Sequence, residues 1–424
     1  MVEQLRRAQA DHGDFFRMRV PFAPPYFMVL DPEDLQRILT RDHRSFVKAQ
    51  IQRELSEFLG DSLLIADGEV WRRRRKRVAP FFLRRAVASY GETMTRCAAE
   101  RVETWADGQT RDMAEEMSTL TLEILGPCLF GDVPLERDLM IECLAEMVSY
   151  MRKPASVRGL GTPGNRKARL AIERIERSVD SMVAQRRAQL EAEGAAEDAK
   201  LDLISVLLHA SEEEGELSPE QLRGELITFV FAGHETTALA LTFALHLLAT
   251  HPQQAARAYE ETSQVLEGRP PTLDDVKALR FVDGVIHEAM RLYPPVVGVG
   301  REAAEDTELH GCPIPKGAQV VAACWAIQRD PRFFPDPDSF EPARWLDADA
   351  RARRPKFAYA PFGGGPRVCI GEGFALAESV IVLATILQRF ELEWPAKRPE
   401  LPLRLSFTLR PAGPVPIRLR ARSA

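Results

Sequence analysis

Apolar residues recur at helical spacing through most of the first 295 positions and at strand spacing only toward the two ends. The periodicity predicts helices near residues 69–84, 86–106, 113–130, 136–152, 167–193, 201–211, 218–250, 252–266, 272–278 and 280–292. Ahead of them, 15–20 and 26–30 read as short strands. Asp31 followed by Pro32 marks a helix start, because Asp caps orphan N–H groups and Pro is tolerated at the first helical position. Residues 45–68 are irregular, 153–167 are rich in Gly and Pro and read as a loop between two long helices, and 191–200 and 211–217 are acidic and solvated. After residue 295 short strands near 308–313 and 319–323 alternate with Pro-rich loops. An apolar run at 374–387 predicts a buried helix, and 403–419 alternates like a small antiparallel sheet. The expected fold is mainly α with a minor β portion, one large domain over 1–424, with a β-containing part at about 1–45 and a helical core at about 69–295.

With 45% hydrophobic residues among 424, the chain can bury a large core. Six cysteines without paired spacing argue against a disulfide framework and for a reducing, cytoplasmic compartment. A net charge of −6 argues against nucleic acid as a partner. The best membrane-span candidate, 226–249, is interrupted by His234 and Glu235, and the first residues are polar; neither a membrane anchor nor a signal peptide is expected, and the chain reads as a monomer.

Four local patterns carry chemistry. Residues 362–371, FGGGPRVCIG, set Phe362, Gly363, Gly365, Arg367, Cys369 and Gly371 in a glycine-rich loop before an apolar helix. Cys97, Cys128, Cys143, Cys312 and Cys324 read as ordinary small core residues. In Ala232, Gly233, His234, Glu235, Thr236 and Thr237, the glycine and the paired threonines are poor helix formers in mid-helix, which marks either a functional site or a kink with threonine hydroxyls bonded four residues back. Glu288 and Arg291 share a helix face, with Arg344 downstream in FEPARW. Trp71 and Arg75 share another, and Arg301 follows Val299-Gly300. Basic clusters at 72–77, 84–85 and 351–356 stand out in an acidic chain.

The loop fits F-x-x-G-x-R-x-C-x-G, a pattern with five fixed positions that would arise by accident in about one chain in 10⁴. It resembles the haem-binding loop of the cytochrome P450 family, and the resemblance extends over about residues 31–419. It implies haem b with Cys369 as the axial thiolate. Trp71, Arg75, Arg301 and Arg367 would lie at the haem propionates, and Phe362, Gly363 and Gly371 against the porphyrin. Ala232 and Gly233 would stand beside the oxygen-binding position, with Glu235 relaying protons from solvent to Thr236. Glu288, Arg291 and Arg344 would form a buried network, and His234 would be structural. Gln328 stands where many members carry His.

The resemblance implies a monooxygenase that inserts one oxygen atom of O2 into a hydrophobic small molecule: a terpene, fatty acid, steroid or polyketide. Electrons would come from NAD(P)H through a ferredoxin or flavodoxin and its reductase, docked on the basic clusters. Thr228, Phe231, Val296, Val297 and Phe407 are the expected pocket residues, with 51–64 and 153–167 as a lid. The alternatives are a peroxide-using or non-oxygenating enzyme of the same fold, or a haem-thiolate protein that binds or senses without turnover.

Overall fold

The computed structural model describes residues 2–19, 24–151, 153, 155–158, 160–193, 202–212, 217–395 and 400–422. Six helices position the site: α1 (Gly68–Val78), α2 (Arg84–Glu103), α3 (Met113–Phe130), α4 (Pro219–Thr250), α5 (Arg280–Leu292) and α6 (Glu372–Arg389). Helix α4 starts where Ser218 accepts from the Gln221 N–H and Gln221 returns a bond to the Ser218 N–H, with Pro219 at the first position. It then runs through the core between α3, α5 and α6 and is apolar nearly all round, as a buried helix must be. By length and composition α4 could cross a membrane, and His234 and Glu235, expected to interrupt such a span, do not break the helix. Of its most apolar window, 83% is buried inside the protein.

The β portion begins with a five-stranded sheet of β1 (Phe15–Met18), β2 (Tyr26–Val29), β3 (Phe46–Lys48), β4 (Val299–Ala303) and β5 (Gln319–Ala322). The order is β1-β2-β5-β4-β3, parallel only between β2 and β5. It joins the two ends of the helical core and sets Lys48 directly opposite Arg301. Near the C-terminus β6 (Leu403–Leu405) and β7 (Leu409–Pro411) form a separate two-stranded hairpin. The segment Pro416–Ala421 leaves that hairpin and pairs with Thr110–Asp112 and Phe390–Glu393, so 403–419 is not one small sheet.

Several expected boundaries move. A helix begins at Pro163 and runs to Glu193, and Ala155–Arg158 is helical, so the expected loop at 153–167 is largely structured. The segment 272–278 holds one 3-10 turn, Asp275–Lys277. A polar helix, Val2–His12, has no counterpart in the periodicity. Most of 191–200 and 211–217 lies outside the described residues.

Glu288 and Arg291 are fully buried, and Arg344 joins them half-buried. Arg291 donates to both Glu288 oxygens at 2.8 Å, while Arg344 Nε and Trp345 Nε1 each donate at 2.9 Å. Arg291 spends its remaining donors on the carbonyls of Gln328, Pro337 and Ser339. Gln328 bonds the Met290 and Arg291 carbonyls and accepts from the Ala360 N–H, so the glutamine binds backbone. Breaking a buried pair strands a charge. Glu288→Ala should therefore destabilise the protein by about 3–5 kcal/mol, read as a fall in the urea unfolding midpoint; an unchanged midpoint would contradict this.

Candidate active site

The loop 362–371 is closed by the Cys369 N–H donating to the Phe362 carbonyl at 2.9 Å. Gly365 has φ +65°, and a Cβ there would stand 1.8 Å from the Leu39 carbonyl oxygen, so only glycine fits. Cys369 ends at the start of α6, where the N–H groups of Gly371 and Glu372 point at its sulfur. Burial pushes the thiol up; those two N–H groups and the Arg75 guanidinium pull it down. Yet Cys369 carries exposed surface. A residue that is desolvated by protein and still exposed faces an internal space. At Gly363 a Cβ would meet nothing, and at Gly371 only Phe82, 4.0 Å away.

Four cations gather beside this loop. Arg367 donates to the Ala66 carbonyl at 2.8 Å and to Asp67, and lies 4.2 Å from the Trp71 ring centre. Arg75 donates to the Val368 carbonyl at 2.8 Å. Arg301 is buried and donates to the Gly300 carbonyl at 2.8 Å, and burial together with Arg367 lowers it to about 10. Lys48, which sequence reasoning missed, is buried opposite Arg301; burial and then Arg301, Arg367 and Arg75 push it down to about 7. Like charges directly across a ladder are destabilising. Asp67 is the one carboxylate that attracts Lys48, Arg301 and Arg367, so the cluster carries excess positive charge. A soft sulfur, an internal open face and cations suited to two carboxylates fit haem b. Lys48 was hidden because an alternating strand, Phe46-Val47-Lys48, does not say which face meets the site.

Across the core, Ala232 is exposed and Thr236 half-buried on the otherwise buried α4, so this face also borders an internal space. The Thr236 hydroxyl donates to the Ala232 carbonyl at 2.8 Å. A Gly233 Cβ would stand 2.9 Å from Leu125 on α3, so its absence allows close helix packing; this differs from the expectation that it clears space for dioxygen. His234 is buried, bonds Ser118 at 2.8 Å and is pushed down to about 4 by burial, hence neutral and structural. Glu235 was expected to face solvent and Thr236. It is buried, and its Oε1 accepts from the Thr408 hydroxyl and from Arg410, two partners the sequence reading did not name.

Of the expected pocket residues, Phe231 and Phe407 meet with ring centres 5.8 Å apart. Val296 is 38% exposed, and Val297 is half-buried. Thr228 is buried, and its hydroxyl has no hydrogen-bond partner among the described residues. The two lid segments are tied together: Arg158 donates to Glu54 at 2.9 Å, and the Tyr150 hydroxyl bonds Glu57 and the Arg158 carbonyl.

The family model described as Cytochrome P450 matches residues 1–417. Cyclooctat-9-en-7-ol 5-monooxygenase of Streptomyces melanosporofaciens is 34% identical over 90% of this chain and 83% of its own length. Protein LUTEIN DEFICIENT 5, chloroplastic, of Arabidopsis thaliana is 30% identical over 94% of this chain and 70% of its own, and Cytochrome P450 4F5 of Rattus norvegicus 34% over 83% and 73%.

Lys48 gives a pH signature. Its folded value, about 7, lies below its ordinary 10.5, so the unfolded chain binds more protons between these values. In haem-free protein this group makes stability rise as pH increases from about 7 toward 10.5. Lys48→Met should flatten that rise in urea unfolding, and should also speed haem loss to an acceptor apoprotein. Retention of the full slope would contradict the assignment.

Proposed function

The chain belongs to the cytochrome P450 family, and on that premise we propose that it oxygenates an apolar carbocyclic molecule of terpene type, with Cys369 as haem ligand and Glu235 and Thr236 as the proton supply. The enzyme is a haem-thiolate monooxygenase: one atom of O2 enters a hydrophobic small molecule, and electrons arrive from redox partners. The bound haem supplies the oxygen chemistry, aided by electron donation from the thiolate.

The observation that carries the reading is that Cys369, Ala232 and Val296 are exposed on elements otherwise packed into the core. Arg75, Arg301, Arg367 and Lys48 would orient the haem through its carboxylates, and Trp71 would brace Arg367. Phe231, Phe407, Val296 and Val297 offer apolar surface to a substrate and exclude water. Thr228 stands four and eight residues before Ala232 and Thr236, thus on their helix face. Its unpartnered hydroxyl suits a substrate with a single hydroxyl group. The Streptomyces relative is named for oxygenating an unsaturated alcohol, which supports this class.

We also propose a small acidic electron carrier, a ferredoxin or flavodoxin, as the immediate donor. Phe82 reaches Gly371, and Phe357 packs on Gly364, so both basic segments are anchored on the loop that carries Cys369. Arg84, Arg85, Arg353 and Lys356 are exposed there, and Leu83 beside them is 49% exposed. Complementary charge speeds such encounters. With such a carrier the enzyme would work as a cytoplasmic monomer, in secondary metabolism.

Thr236→Ala should keep NAD(P)H consumption but divert most of it from product to hydrogen peroxide; unchanged coupling would sink the assignment. Arg84→Glu with Lys356→Glu should slow reduction by a reconstituted ferredoxin by roughly tenfold or more at low salt, with the gap closing at high salt. A salt-independent rate equal to wild type would remove the docking patch.

A further inference from the structure

Glu235 and Thr236 must exchange a proton, yet each is engaged elsewhere. Thr236 donates to the Ala232 carbonyl, and Glu235 accepts from Thr408 and Arg410. Both partners belong to the β6–β7 hairpin, 173 and 175 residues further along the chain. Thr408 is buried, and Arg410 also reaches its hydroxyl at 3.4 Å. Among the described residues Arg410 Nε is buried without a partner, so its guanidinium is incompletely satisfied by them where it stands. Arg404 lies directly across the ladder, a like charge that favours movement of Arg410 toward an anion.

The hairpin has three paired positions and, among the described residues, no third strand. Such a unit is marginal by itself, so its position depends on what it touches. One contact is Glu235. Others are Phe407 against Phe231, the Leu409 N–H on the Pro295 carbonyl at 2.9 Å, next to the exposed Val296, and the Leu409 side chain buried in the core. A molecule lying against Phe407 and Val296 therefore presses on the element that holds the Glu235 carboxylate.

We propose that Arg410, with Thr408, is a positioning residue that restrains Glu235 from Thr236 until substrate contact at Phe407 shifts the hairpin, so that proton supply depends on an occupied pocket. This rests on the reading that Glu235 and Thr236 carry the protons. In the released arrangement a proton enters on the Glu235 carboxylate and passes to the Thr236 hydroxyl as that hydroxyl gives its own to the oxygen undergoing reduction in the pocket; Glu235 ends as carboxylate and Thr236 as hydroxyl, and no electron moves in this step.

The test uses the full haem-loaded chain. A double-mutant cycle of Arg410→Gln and Glu235→Gln in urea unfolding should show non-additivity equivalent to about tenfold in the unfolding constant, and Arg410→Lys should retain part of it. Additive effects would overturn the restraint. With a surrogate ferredoxin pair and no added substrate, Arg410→Gln should raise NAD(P)H-driven oxygen consumption severalfold, Arg410→Lys less, and Arg410→Gln with Glu235→Gln should return it to the basal rate. Coupling in the cycle without any rise in oxygen consumption would mean a purely structural ion pair and would overturn the proposal. The underlying relay is checked separately: if Glu235→Gln alone leaves the solvent isotope effect on turnover unchanged, the relay reading fails whatever the cycle shows.

Discussion

A thiolate in an apolar interior is the constraint on which this structure turns. Desolvation alone would keep Cys369 protonated. The opposing forces are local and directional: two N–H groups at the start of α6, and Arg75 bonded to the carbonyl of Val368, the residue before the ligand. They act only if the loop holds its shape. Gly365 pressed on Leu39 leaves no room for another backbone path, and the Cys369–Phe362 bond closes the turn. Behind the loop, Ala360 is bonded to Gln328, which is bonded in turn to the carbonyls of Met290 and Arg291, and Arg291 is held by Glu288. The buried Glu288 network is thus the foundation of the thiolate loop, three contacts removed.

The same logic of unbalanced charge shapes the flank. Lys48 and Arg301 face each other across β3 and β4, an arrangement that costs stability unless an anion sits between them. A protein tolerates such crowding where binding repays it, and haem carboxylates are the anions the fold family supplies. Around Glu235 on α4 the surroundings are the reverse: a buried acid, a neutral histidine and a half-buried threonine, with one cation, Arg410, arriving from the C-terminal hairpin. The core thus sets a face with Cys369 and its ring of cations against one that carries Glu235 and Thr236, and Phe231 meets Phe407 beside the latter.

Much of this was legible in the sequence where a local rule sufficed. Met113–Phe130, Pro252–Leu266 and Arg280–Leu292 appear at the residues their periodicity predicts, and Ser218-Pro219 starts α4 by capping chemistry that any reader of the chain can find. The five fixed positions of the cysteine loop were enough to single out Cys369 as the residue to propose as ligand. What stayed hidden depends on long-range pairing. Val2–His12 is polar and is held by Arg6 on Asp338 and on the Arg329 carbonyl, contacts with no local trace. The strand Pro416–Ala421 alternates like its neighbours but finds partners near residues 110 and 390. Glu235 carried the right chemistry in the sequence, but its partners Thr408 and Arg410 could not be assigned, because a carboxylate on a helix does not announce which distant hairpin will meet it.

The central claim is that Cys369 holds haem as a thiolate at the edge of an apolar pocket. An optical spectrum of the purified ferric protein, repeated during titration with apolar terpene alcohols and repeated for Cys369→Ala, tests it most directly. The account predicts a thiolate-ligated haem spectrum that shifts from low spin to high spin as a ligand displaces the water at iron, and loss of the thiolate signature in Cys369→Ala. A haem spectrum identical in wild type and Cys369→Ala would contradict it.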